Sequence, residues 1–172
     1  VVMSWRGAGG GIAAAAAGHD VVMTPNWYCY FDYPQGLPGD KFEYYTWKNP
    51  PPVTLAKVFS FDPCAGIPPE RRRHVLGGQG NSWAEFTRTP AELEWKLWPR
   101  ACALAEALWT APAERDYAAF AERCAVRRAR LVATGVNAAP VAADAVPLSG
   151  HAVIPLWPKD KMPLAQKGLP PE

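Results

Sequence analysis

Residues 1–24 read VVMSWRGAGGGIAAAAAGHDVVMT, and this stretch decides the fold class. At its two ends, Val1 to Ser4 and Val21 to Thr24 are short, continuously apolar or β-branched runs, the pattern of strands buried on both faces of a parallel sheet. Between them, Ile12 to Ala17 is a small-residue helix former stopped by Gly18, so the stretch reads as a β-α-β crossover. Val75-Leu76 opens a third strand of the same kind. Strand, helix, strand in repetition predicts the α/β class.

Working outward, Asn26 to Arg73 is aromatic, Pro-rich and aperiodic, a span of about fifty residues that connection-length statistics disfavour unless the loop is functional. Loops that follow the C-terminal ends of parallel strands are where barrel enzymes keep their sites. The third strand leads through Gly77-Gly78-Gln79-Gly80 into Asn81-Ser82-Trp83-Ala84-Glu85. A largely buried helix is then expected from about Pro90 to Trp109, with Trp95, Trp98, Cys102, Ala105 and Trp109 on one stripe and Leu93, Leu97, Ala101, Leu104 and Leu108 on a second. Pro99 should kink that helix or mark its true start. Thr110-Ala111-Pro112 reads as the opening of a last helix, closed by Gly135, that carries Tyr117, Phe120, Cys124 and Leu131 on one face. Arg123, Arg127, Arg128 and Arg130 then form a solvated basic face. Beyond Val136 the chain turns to Ala, Val and Pro without period, an extended or partly disordered tail whose one strong anchor is Leu156-Trp157-Pro158.

Composition narrows the function. The 172 residues are 49% hydrophobic, enough for one foldable core. Lys and Arg number 18 against 16 Asp and Glu, and a net charge of +2 is too small to steer the chain onto nucleic acid or an anionic membrane. No run approaches the ~18 apolar residues of a membrane span. Cys29, Cys64, Cys102 and Cys124 are too widely spaced for a zinc site or a small disulfide scaffold, and read as lone buried thiols. The chain opens Val1-Val2-Met3 without a leading methionine, so it reads as cut from something longer and leaves the compartment open.

Two predicted strand ends are each followed by aromatic and carboxylate residues: Asn26-Trp27-Tyr28-Cys29-Tyr30-Phe31-Asp32 and Asn81-Ser82-Trp83-Ala84-Glu85. In a parallel sheet both clusters fall at the C-terminal edge, and Trp5 at the end of the first strand adds a third aromatic. Trp and Tyr faces pack on the apolar faces of sugar rings, while Asp and Glu accept paired hydroxyl hydrogens. Aromatic plus carboxylate on one rim therefore suits a carbohydrate pocket.

The order and spacing of these residues resemble the C-terminal part of the catalytic domain of glycoside hydrolase family 20, the β-N-acetylhexosaminidases. The resemblance is carried by residues 2–7 (VMSWRG), 16–25 (AAGHDVVMTP), 30–33 (YFDY), 53–63 (VTLAKVFSFDP), 76–85 (LGGQGNSWAE), Trp98-Pro99-Arg100-Ala101 and 105–109 (AEALW). It covers about residues 1–137 and leaves 138–172 as the tail. It implies that this chain supplies about the last three β/α units of a (β/α)8 TIM barrel, with the remainder of the barrel upstream. The implied reaction removes a terminal N-acetylglucosamine or N-acetylgalactosamine from a glycan or glycoconjugate with retention. The substrate's own 2-acetamido oxygen acts as nucleophile, an exception to the two-carboxylate scheme. No cofactor or metal is implied, and an extracytoplasmic setting is suggested by the resemblance alone.

Residue by residue, the resemblance matches Tyr30 to the tyrosine that hydrogen-bonds and orients the acetamido oxygen. Trp5 and Trp83 match two walls of an aromatic cage around the acetamido methyl, and Asp32 and Glu85 match carboxylates that bind sugar hydroxyls. The family's adjacent Asp-Glu catalytic pair has no counterpart, because neither Asp-Glu nor Glu-Asp occurs in the chain. By itself the chain is thus expected to be inactive and, with unpaired sheet edges, poorly soluble. A non-catalytic carbohydrate-binding remnant of the same fold is the alternative, and an aromatic-rich interaction module a third.

Other residues read as structural. His19 is expected to cap or pack between helix and strand, and Arg71-Arg72-Arg73-His74 to be a solvated loop end. Glu106, in a mostly apolar helix, should pair with an arginine. Gly77-Gly78-Gln79-Gly80 lacks the Lys-Ser/Thr of a phosphate loop and reads as close backbone approach.

Overall fold

The computed structural model describes residues 1–37, 40 and 51–141. Two compact units divide the chain, Val1–Ala142 and Ala143–Glu172, and the second, with Leu156-Trp157-Pro158, lies outside the described residues. In the first unit the opening crossover forms: β1 (Val2–Ser4), α1 (Gly9–Ala16) and β2 (Val21–Met23), followed later by β3 (Val75–Gly78). All three strands are parallel in the order β1-β2-β3, with Val2 opposite Val21 and Ser4 opposite Met23. Val21 and Met23 are buried, whereas Val2, Met3 and Leu76 are exposed. Burial on both faces therefore holds for β2 alone, since β1 and β3 each leave one face open at Val2 with Met3 and at Leu76, while Ser4 and Val75 pack inward.

Helix α1 starts three residues before the expected Ile12. The Ser4 hydroxyl donates to the Gly7 carbonyl at 2.8 Å and accepts the Gly11 N–H at 2.9 Å, which fixes the turn into the helix. A Cβ at Gly11 would run into the Met23 sulfur, so glycine there lets α1 lie on the sheet. His19 is exposed, and its backbone N–H caps α1 by donating to Ala14 at 2.9 Å.

Residues 26–73 are not one structureless loop. They contain α2 (Asn26–Cys29), α3 (Leu55–Phe59) and a 3-10 segment, Pro69–His74; residues 38–39 and 41–50 lie outside the described residues. Thr54 starts α3 by accepting the Lys57 N–H at 3.1 Å. Leu55, Val58 and Phe59 are buried with Val53, Phe61 and Ile67 in the core, and α3 packs on the helix that follows Pro99. A five-residue helix is too short to show a 3.6-residue period, which hid it in the sequence.

The helix expected over 90–109 is two: α4 (Pro90–Leu97), capped by Thr89, and α5 (Arg100–Trp109). Proline 99 marks a new start, as the second of its two expected effects. The restart sets a buried face of Arg100, Ala103, Leu104 and Ala107 and leaves Trp109 of the first stripe 90% exposed, while of the second stripe Leu104 is buried and Leu97, Ala101 and Leu108 pack against the core. The last helix, α6 (Tyr117–Ala133), opens later than Thr110-Pro112, at Asp116, whose carboxylate accepts the Ala119 N–H at 3.1 Å. Phe120 and Cys124 are its buried residues, and Gly135, with φ of 89°, closes it. Arg123, Arg127 and Arg130 are exposed as expected, but Arg128 turns inward to the Ala138 and Ala139 carbonyls at 3.2 and 2.7 Å. Of the four thiols, Cys29 and Cys124 are buried and Cys64 and Cys102 are half-buried. Among the described residues no helix is long and apolar enough to cross a membrane.

Arg100, fully buried, joins these parts. Its guanidinium donates to the carbonyls of Tyr33 (2.9 Å), Val53 (3.0 Å), Pro34 (3.4 Å), Lys96 (2.7 Å) and Phe31. Replacing it by the apolar Arg100→Met strands several buried acceptors, each costing about 1–3 kcal/mol. A urea titration should show a stability loss of at least about 3 kcal/mol. Glycine 80 is close-packed as expected: a Cβ there would meet Phe31 at 2.7 Å and Leu104 at 3.1 Å. Gly80→Ala should cost about 1–3 kcal/mol by overpacking, read in the same titration.

Candidate functional site

The C-terminal ends of the three strands are stitched into one rim. Ser4 accepts the Thr24 N–H at 3.0 Å, Trp5 the Asn26 N–H at 2.9 Å, and Met23 the Gln79 N–H at 3.1 Å. Pairing then resumes beyond the strands: Asn81 donates to Cys29 at 2.7 Å and accepts from Phe31 at 2.6 Å, a parallel bridge that sets Tyr30 beside Asn81. This backbone weave brings the five candidate residues, Trp5, Tyr30, Asp32, Trp83 and Glu85, to one cleft of about 700 Å³, together with Thr24, Tyr33, Gln79 and Asn81.

Aromatic rings make one wall. Tyr30 meets Trp83 edge-to-face with centroids 5.9 Å apart and Tyr33 at 5.6 Å, and Trp27 meets Tyr33 at 6.0 Å. Trp5 and Trp83 are each about half exposed, at 46% and 48%, so part of each indole remains accessible. The Arg6 guanidinium covers Trp5 at 4.7 Å.

The polar groups sit at different depths. Asp32 is 2% exposed, on the segment whose flanking carbonyls, Phe31 and Tyr33, are held by Arg100. Glu85 stands exposed on a 3-10 turn, Ala84–Phe86. Burial raises the Tyr30 phenol above its ordinary pKa, and a hydrogen bond from the Trp83 indole N–H works against that rise. Burial pulls Lys96 below the usual lysine range, while the negative charges of Glu92 and Asp32 favour its charged form. Its ammonium donates to the Thr87 hydroxyl at 3.4 Å.

Sequence reasoning gave no role to Arg100, Tyr33 or Lys96. An apolar helix carrying one arginine directly after Trp98-Pro99 was the available signal, because a buried cation in such a face must find acceptors. Glu106 does pair with an arginine, Arg123 at 2.7 Å, but at the surface: the arginine side chain is 59% exposed. The Arg71–His74 segment is held to the fold by His74, 3.1 Å from Asp20. Among the described residues no group of three or more His, Cys, Asp or Glu side chains gathers as a metal site.

Comparison with known proteins places this geometry. The family model "Glycosyl hydrolase family 20, catalytic domain" matches residues 1–112. A β-hexosaminidase of Porphyromonas gingivalis is 40% identical over 144 residues, covering 79% of this chain and 17% of that protein. One from Akkermansia muciniphila is 33% identical over 112 residues, covering 65% and 22%. The chain thus spans about a fifth of the length of these relatives. Among solved structures, a family 20 exo-β-N-acetylglucosaminidase of Vibrio harveyi in complex with N-acetylglucosamine superposes with a TM-score of 0.68 at 28% identity, over 81% of this chain and 22% of that one. A Streptomyces coelicolor β-N-acetylhexosaminidase shares the fold at a TM-score of 0.69 and 21% identity, over 86% and 30%. The three-stranded parallel sheet and its helices are accordingly part of a TIM-barrel-type α/β domain, and the chain belongs to glycosyl hydrolase family 20.

Proposed function

We propose that this chain forms the sugar-binding wall of a β-N-acetylhexosaminidase, built from about the last three β/α units of a (β/α)8 barrel. The observation that carries the reading is the convergence of Trp5, Tyr30, Asp32, Trp83 and Glu85 on one cleft at the C-terminal rim of a parallel sheet. The substrate is a glycan or glycoconjugate ending in N-acetylglucosamine or N-acetylgalactosamine. Trp83 and Trp5 enclose the acetamido methyl and support the ring. Asp32 and Glu85 accept hydrogen bonds from ring hydroxyls.

In the reaction the acetamido oxygen attacks the anomeric carbon, and an acid protonates the departing oxygen. Tyr30 donates its hydroxyl proton to the acetamido oxygen and fixes it for attack, a proximity effect. The general acid and its Asp neighbour come from residues other than these 172, since the chain has no adjacent Asp and Glu. The same observation favours a second reading, a sugar-binding wall that never hydrolyses.

One pair of assays separates them: hydrolysis of a nitrophenyl N-acetyl-β-glucosaminide by the product of the longest reading frame encoding this chain, and by the 172 residues alone. The long product should turn over and the isolated chain should not. Tyr30→Phe in the long product should lower kcat by about 10²-fold, the cost of a misplaced nucleophile. Trp83→Ala should raise KM about tenfold as the stacking wall is lost. No turnover by the long product, with saturable quenching of tryptophan fluorescence by N-acetylglucosamine, would favour the binding reading. Turnover by the isolated chain that survives repurification and tracks Trp83→Ala would overturn the assignment of the acid elsewhere.

A further inference from the structure

A second hollow, of about 320 Å³, lies between α5 and α6 and shares no lining residue with the sugar cleft. Cys102 and Cys124 both line it, and both are free thiols. Cys102 is half-buried in the first turn of α5, where the helix N-terminus favours an anion. Cys124 is 2% exposed on α6. Interaction with the Cys124 thiol is the largest influence on the Cys102 thiol.

The charged groups around the pair are Arg127, Arg123 and Glu106, the last two neutralising each other at 2.7 Å. Arg127 is left as the net charge, and it favours a thiolate. The interaction with Cys124, helped by Arg127 and opposed by burial, brings Cys102 down to about 7. The other thiols move the opposite way: burial pushes Cys29 up to about 12 and raises Cys64, while interaction with Cys102, and then burial, raises Cys124. Cys102 is thus the one thiol of the four drawn toward its thiolate form, and Cys124 lines the same hollow.

We propose that Cys102 and Cys124 are a reactive thiol pair that low-molecular-weight disulfides oxidise, Cys102 attacking and Cys124 resolving, to close a disulfide between α5 and α6. With glutathione disulfide as oxidant, the Cys102 thiolate attacks one sulfur. The Cys102–glutathione bond forms, the glutathione S–S bond breaks, and the first glutathione leaves as a thiolate that takes a proton. Cys124 then gives its proton to solvent and attacks the Cys102 sulfur. The Cys102–Cys124 bond forms and the second glutathione leaves. Two protein thiols are oxidised and one disulfide is reduced to two thiols. The closed bond ties α6 to the helix that begins with Arg100.

The test uses the 172-residue chain and does not depend on hydrolase activity. Limiting iodoacetamide at neutral pH should alkylate Cys102 about tenfold faster than Cys64, read by peptide mass spectrometry. Glutathione disulfide should then yield a chain lighter by two hydrogens, with the Cys102 and Cys124 peptides cross-linked. Cys124→Ser should stop at a stable Cys102–glutathione adduct, and Cys102→Ser should give neither adduct nor cross-link at this site. Circular dichroism of each variant establishes that it is folded. Alkylation of Cys102 no faster than Cys64, or a wild-type Cys102–glutathione adduct that never resolves, overturns the proposal.

Discussion

The rest of this structure depends on one buried cation. A Pro-rich segment has few ladder partners for its backbone, and every carbonyl it buries needs a donor. Arg100 supplies donors for Phe31, Tyr33, Pro34 and Val53 from one guanidinium, and for Lys96 at the end of α4. A lysine would not serve, because three donors on a flexible stem do not match a fixed planar fork of five. Arg115 works the same way at the other end of α5, donating to Phe61 and Ala107 at 2.6 Å and to Thr110 at 2.8 Å. These two side chains let irregular chain pack as core between regular elements.

That arrangement also explains where the site lies. Asp32 sits between two of the carbonyls that Arg100 holds, and Tyr30 is fixed two residues earlier by the bridge to Asn81. Asp32 is therefore presented by backbone anchored on α5 rather than by a strand. Three parallel strands bring Trp5, Tyr30 and Trp83 to a common rim; the arginine sets the depth of the carboxylate behind them.

Much of this was legible in the sequence for definite physical reasons. Paired Val-rich runs around an alanine stretch can form little except a β-α-β crossover. The Gly80 backbone approach and the Glu106–arginine pair followed from residue size and charge. The five cleft residues were found from their places after strand ends and from family resemblance. What escaped notice lacks periodicity: α3 has five residues, and the break at Trp98-Pro99 resets the helical phase so that Trp109 points to solvent. Arg100 escaped because its partners are backbone carbonyls up to 69 residues away, which leave no side-chain signature.

Amide hydrogen exchange on the chain carrying Arg100→Lys, compared with wild type, is the most direct test of the central claim, that the arginine fork holds the site-bearing segment. The Phe31 and Asn81 amides, which donate across the Tyr30 bridge, should lose protection while the Gly11 and Ile12 amides of α1 keep theirs. Unchanged protection at Phe31 and Asn81 would contradict it, and would mean that strand pairing alone sets the rim.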